Sequence, residues 1–270
     1  MRLRITILTL MKKMIVLLFK DKKNRVSSSI RFTLVVNGNS TEAGVMRNKV
    51  RESLRLFQII CRRLLRDDEG KPKEEIGFRQ IYLEAAKIVR EKNKWVNTGN
   101  QILGIDHGVE VGDEFHYRVE LSIIGLHRPY QGGIDYMHRH GTIVATSIVA
   151  SGGYDDDMGS TDVLVYSGQG GAPVRGNKID TDQKLVRGNL ALKNSMDEGT
   201  PVRVIRGYKE GKGNASLDAR ISMAGIFTCD GLYLVEKYWT EQGRYGNKVF
   251  KFQLRRMAGQ PELAITEQKQ

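Results

Sequence analysis

Apolar residues recur at spacings of three and four through residues 42–66, where Val50, Leu54, Phe57, Cys61 and Leu64 share one helical face. Arg47, Arg51, Arg55, Arg62 and Arg66 form a basic stripe on another face of the same predicted helix. The default reading is a packed face beside a solvated one; a helix that contacts phosphate is the sharper alternative. Cys61 falls in the apolar stripe and reads as core. The run Asp67-Asp68-Glu69-Gly70-Lys71-Pro72 ends this helix. A second helix is predicted over 78–92, with Ile81, Ala85, Ile88 and Val89 on its apolar side and Tyr82 and Trp95 helping it dock. Asn97, Gly99 and Asn100 close the helical part.

From Gly108 the period falls to two. Phe115, Tyr117, Val119 and Leu121 alternate with His116, Arg118 and Glu120, the pattern of a half-buried strand. Further strands are predicted over 143–149, 163–166, 202–205, 232–236 and 249–254, and one helix over 187–196. Gly-rich turns separate them: Gly132-Gly133, Gly152-Gly153, Gly168-Gln169-Gly170-Gly171 and the stretch 211–213. Many short strands joined by glycine turns predict a barrel or a curved sheet.

Charge adds a division of the chain. Residues 1–100 hold 23 Lys and Arg against 10 Asp and Glu, whereas residues 101–270 hold 20 against 21. The net charge of +12 therefore sits in the first third, and a basic arm points to a polyanionic partner or to solubility and import. Cys61 and Cys229 make neither a disulfide framework nor a zinc site, which favours a reducing compartment. The start imitates a signal sequence, but Lys12 and Lys13 split its apolar runs and no small-residue cleavage site follows. Neither run approaches the roughly 20 residues of a membrane span. Residues 1–40 are expected to be disordered.

Several long strings carry a resemblance. They are GVEVGDEFHYRVELSIIGLH (108–127), GGIDYM (132–137), ATSIVASGGYDDD (145–157), DVLVYSGQGG (162–171), DQKLVRGNLAL (182–192), VRVIRG (202–207), DGLY (230–233) and VFKFQLRRMAGQPE (249–262). In this order they resemble the SRA-YDG domain, and within it the SRA domains of plant Su(var)3-9-homologue histone methyltransferases. The likeness extends over residues 45–262, because RESLRLFQIICRRLL and WVNTGNQILG resemble the segment preceding SRA in that family. It implies an α+β fold: a curved β-barrel, similar to the PUA fold, with flanking helices and a helical pair in front. The expected organisation is a disordered basic segment 1–40, a helical extension 41–104, the SRA-YDG domain 105–262 and a tail 263–270.

The implied function is recognition of 5-methylcytosine in double-stranded DNA by base flipping. Extraction exposes both faces of the base and its pairing edge, and costs a few kcal/mol that the pocket must return. Two aromatic rings supply ~1–3 kcal/mol per stacked base. Tyr154 and Tyr166 match the family's stacking pair, and Asp156 and Asp157 match the position of its base-reading aspartate. A carboxylate there accepts from the cytosine amino group. The loop Ser167-Gly168-Gln169-Gly170 is expected to approach C5 of the base, where glycine permits close backbone approach. A thumb loop maps to Arg128-Pro129-Tyr130-Gln131, with Gln131 the preferred inserting residue and Tyr130 next. Arg128 and His127 are read as phosphate contacts or, equally, as surface or packing residues. A second loop between Gly171 and Gln183 carries Arg175 and Lys178. It is short, so selectivity for hemimethylated CG sites is not implied.

The sequence also departs from the family. YDG reads CDG, with Cys229 in place of tyrosine at a position expected to be structural. Two cysteines cannot build the zinc cluster that precedes SET, and few residues follow GQPE, so the expectation is a non-enzymatic reader with no cofactor and no metal. The expected partners are methylated double-stranded DNA and chromatin, with histones or chromatin proteins allowed by the resemblance, and no membrane; the expected location is the nucleus. His138-Arg139-His140 reads as surface or phosphate contact rather than as a metal or acid–base motif. Two alternatives stay open: a degenerate domain serving as an interaction module, favoured by the near-neutral charge of 101–270, and an RNA binder, favoured by the PUA likeness.

Overall fold

Both predicted N-terminal helices are present in the computed structural model. It describes residues 42–68, 78–99, 101–104, 108–150, 162–171, 182–208, 226–243 and 246–262, all within the unit Ser40–Gln270. Helix α1 (Glu42–Asp68) buries Val50, Phe57, Ile60, Cys61 and Leu65, as its period requires. Arg51, Arg55, Arg62 and Arg66 are exposed. Arg47 leaves this stripe: its guanidinium pairs with Asp113 and donates to the Gly108 carbonyl at 3.0 Å. Helix α2 (Phe78–Glu91) buries Ile81, Ala85, Ala86 and Val89, and Trp95 docks its indole N–H on the Ala86 carbonyl at 3.1 Å.

The strand expected through Leu121 is instead a two-residue strand, β1 (Glu114–Phe115), followed by helix α3 (Arg118–Ile123). Glu120 decides the matter. Its carboxylate accepts the backbone N–H groups of His116 at 2.7 Å and Tyr117 at 3.0 Å, covering donors a helix start leaves open. Val119 to Ile123 are all buried, so alternation held no information about the outward face. Burial pushes the Glu120 carboxyl above its ordinary pKa while these N–H bonds oppose the shift.

The remaining elements are β2 (Ile134–Arg139), β3 (Thr142–Ala150), β4 (Val163–Ser167), helix α4 (Gly188–Glu198), β5 (Val202–Tyr208), β6 (Ile226–Gln242) and β7 (Lys248–Arg256). The sheet order is β2-β3-β5-β6-β7-β4, with β1 also on β6. All pairings are antiparallel except β3 with β5, and α4 lies in the chain between these two, as a parallel connection needs. The fold is thus α+β with flanking helices, as the sequence implied. Among the described residues the expected barrel is not closed by a ladder; β2 and β4 are the ends of an open sheet. Side chains from both end strands, Ile134 of β2 and Leu164 and Tyr166 of β4, belong to one apolar cluster.

Two cores flank the sheet, and period-two alternation sorts residues between them. Ile148, Val204 and Tyr233 enter one with Ala191 and Leu192 of α4. Val149, Ile205 and Cys229 enter the other with Phe57, Val89 and Tyr117. Both helices of the extension therefore share a core with the sheet. The CDG segment is structural. Cys229 is buried, and that burial pushes its thiol pKa up to about 12. Asp230 forms a buried ion pair with Arg206 and accepts the Tyr233 hydroxyl at 3.0 Å. Gly231 has φ +105° beside the register shift at Val204/Ile205, a conformation that favours glycine.

Candidate nucleic-acid interface

Strand β4 delivers Tyr166 and the loop after it. Tyr166 is 5% exposed and part of the α4-side core, and Ser167 accepts a hydrogen bond from the buried Lys251 ammonium at 2.8 Å. The backbone then leaves the sheet after one more bond, from Gly168 N–H to the Phe250 carbonyl at 2.8 Å. Beyond that point side-chain amides hold the loop. Gln183 donates to the Gly168 carbonyl at 2.7 Å and the Gly170 carbonyl at 3.1 Å. Asn189, in the first turn of α4, accepts the Gln169 N–H at 2.9 Å and donates to the Gln169 carbonyl at 3.0 Å. The Gln169 side chain lies against Gly188, where a Cβ would collide with it.

The loop between α3 and β2 is pinned at both stems and open at its tip. The Ser122 hydroxyl lies 3.0 Å from the His127 carbonyl and 2.9 Å from the Arg128 carbonyl. Asp135 accepts the Arg128 N–H at 3.1 Å. The Gly132 carbonyl is held by the Arg118 guanidinium and lies 2.8 Å from His127 Nε2, while His127 Nδ1 lies 2.8 Å from the Ser147 hydroxyl. A neutral ring protonated at Nε2 donates to the Gly132 carbonyl and accepts from the Ser147 hydroxyl at Nδ1, while Arg118 Nη2, 3.2 Å from Nε2, gives its hydrogen bond to the same Gly132 carbonyl. Burial, with neighbouring Arg118, lowers the His127 pKa to about 3. His127 is fully buried, which settles it as a packing residue rather than a phosphate contact. Between these stems Tyr130 is 42% exposed and Gln131 is exposed. Arg128 is half-buried, with its guanidinium on the Gly99 carbonyl at 3.0 Å.

The two loops come together at Gly133, where an added Cβ would collide with the Tyr166 hydroxyl. Tyr166, Ser167, Gly168 and Gln169 thus share one region with the stem of the loop carrying Arg128, Tyr130 and Gln131. Tyr154, Asp156 and Asp157 lie outside the described residues, as does the loop carrying Arg175 and Lys178. The sequence reading did not single out Gln183, Asn189, Arg118 or Lys251. Gln183 and Asn189 stand in DQKLVRGNLAL, one before the helix and one in its first turn, and pattern alone does not distinguish a buried amide there from a surface one.

Among the described residues no group of three His, Cys, Asp or Glu is placed to hold a metal, and no helix is long and apolar enough to cross a membrane. His138 and His140 are exposed, and Arg139 lies 3.5 Å from Glu198.

Comparison with known proteins places these features in a family. A model of the SAD/SRA domain matches residues 102–260. The Arabidopsis thaliana H3 lysine-9 histone methyltransferase SUVH6 is 50% identical over 243 residues, covering 86% of this chain and 30% of that protein. The chain thus spans about 30% of the length of the curated relatives it matches first. The SUVH5 SRA domain in complex with methylated CHH DNA matches with TM-score 0.51 and 54% identity, covering 61% of this chain and 99% of that one. The same domain in complex with hemimethylated CG DNA matches equally.

Proposed function

The chain belongs to the SAD/SRA domain family, and on that premise we propose that it is a reader of 5-methylcytosine in double-stranded DNA. The base is flipped out of the duplex and held between Tyr154 and Tyr166, with Asp156 or Asp157 accepting from its amino group. Ser167, Gly168 and Gln169 form the wall facing C5. Gln131, with Tyr130 beside it, enters the space the base leaves, and Arg128 flanks the backbone. The single observation that carries the reading is the pinned loop pair: the Tyr166–Gln169 segment lies against the stem of an exposed polar tip. A flipping protein needs both parts close together, one to receive the base and one to fill the stack. The SUVH5 SRA domain, 54% identical, is solved with CHH and CG methylated DNA, which supports tolerance of several contexts.

The reading is of a binding protein of nuclear chromatin, in which 105–262 carries the pocket and 41–104 supports it. Histone methyltransferase activity is named for relatives of which this chain spans about 30%, and the reading assigns no reaction to residues 102–260. A competition experiment tests the partner class. A labelled methylated duplex is challenged with unlabelled methylated DNA, unmethylated DNA and RNA duplexes of the same sequence. The expected result is displacement by methylated DNA at the lowest concentration. Displacement by RNA at equal or lower concentration would turn the reading toward an RNA binder.

A further inference from the structure

The loop that faces the base carries two glycines in three residues, Gly168 and Gly170, and Gly170 has φ +99°. Such a segment has more backbone freedom than any other, and freedom is costly where a methyl group must be told from a hydrogen. A gap of 0.5–1 Å at a packed surface already forfeits about a quarter to a half of the contact energy. Something must therefore fix the wall, and among the described residues no strand does so beyond Gly168. Two buried amides take that place.

Gln183 and Asn189 are 5% and 1% exposed. Asn189 makes both bonds that a neighbouring strand would make to the Gln169 peptide, and its amide also donates to the Lys184 carbonyl at 2.9 Å. Gln183 links the loop to β7: its carbonyl oxygen accepts the Phe250 N–H at 2.8 Å while its amide nitrogen donates to Gly168 and Gly170. The path has little slack. A Cβ at Gly168 would stand 2.6 Å from Gln183 Oε1 and 2.9 Å from Asn189 Oδ1, so the wall cannot retreat toward the amides.

We propose that Gln183 and Asn189 are positioning residues that fix the distance of the Ser167–Gly170 wall from C5 of the bound pyrimidine, and so set the preference for methylcytosine over cytosine. This rests on the base-binding reading above. Neither side chain need touch the base; each acts through the backbone it holds.

The test uses the full chain with Asn189→Asp and Gln183→Glu. These nearly isosteric changes replace an N–H donor by a carboxylate oxygen facing peptide carbonyls. The readout is the ratio of affinities for matched duplexes with methylcytosine and cytosine, measured beside the urea midpoint. Ser195→Ala is the control: it removes a buried acceptor of the Ala145 N–H in the same helix, away from the loop. Each amide variant is expected to lower the ratio about fivefold or more, the worth of roughly one net hydrogen bond, while Ser195→Ala lowers stability and leaves the ratio alone. If either amide variant fails to fold, Asn189→Ser and Gln183→Asn give the same readout. A wild-type ratio in the folded variants, or an equal fall in Ser195→Ala, overturns the proposal. No methyl preference in the wild type would instead overturn the base-binding reading beneath it.

Discussion

At the scale of single residues, Gly168 leaves no room for the added bulk of one methyl group. Its Cβ would press on two buried amides, and overpacking of this kind costs about 1–3 kcal/mol. Gly168→Ala is expected to weaken binding to methylated duplex about tenfold in a titration; unchanged affinity would mean the wall lies elsewhere. His127 gives a pH signature. Its folded pKa, near 3, lies below the ordinary value of 6.5, so between those two pH values the unfolded chain binds the extra proton. The imidazole's contribution is complete above pH 6.5 and is lost as pH falls toward 3. Wild type should lose up to ~1.4 kcal/mol per pH unit more than His127→Gln in that window, read from urea midpoints. The comparison between variants cancels Glu120 and Asp135, whose pKa values burial pushes up. Parallel pH profiles would contradict a neutral buried imidazole. Placement at this scale was partly legible in the sequence: Tyr166 ends its strand and the glycine loop follows it, as the strings implied, but the amides and Arg118 are defined by what they hold, and alternation does not record partners.

At the scale of elements, α1 has two faces with separate consequences. Phe57 is fully buried and meets the Tyr117 ring edge-on at 5.8 Å. Phe57→Ala should cost about 3–5 kcal/mol and leave a single unfolding transition. Two transitions would mean that the helical extension and the sheet unfold separately. The other face carries Arg51, Arg55 and Arg62, exposed and, among the described residues, shown in no ion pair. Changing these three to Gln should reduce the magnitude of the log–log salt slope of DNA binding by ~0.9 for each phosphate no longer neutralised, with methyl discrimination intact. An unchanged slope would leave α1 a solvated helix. Helix α3 shows what the period missed. A segment buried on every side satisfies the strand and helix templates alike, and only Glu120, three residues after the N-cap Tyr117, marked the difference.

At the scale of the whole molecule, the fold class was legible because the long helices keep their period and β3 to β7 stand out as short apolar runs between glycine turns, whereas the edge strand β2 does not alternate and was not predicted. The open edge was not legible either, since it depends on how far the curvature carries β2 toward β4. Nor was the shared core: the expected division at residue 104/105 crosses an apolar cluster that unites α1, α2, α3 and the sheet. The account's central claim is methyl-dependent binding through a flipped base. Its most direct measurement is a fluorescence-anisotropy titration of matched unmethylated, hemimethylated and fully methylated duplexes at fixed salt, with wild type and Tyr154→Ala. Wild type is expected to bind both methylated duplexes more tightly, and the variant to lose that preference. Equal, weak binding of all three duplexes by both proteins would contradict it and leave an SRA fold serving as an interaction module.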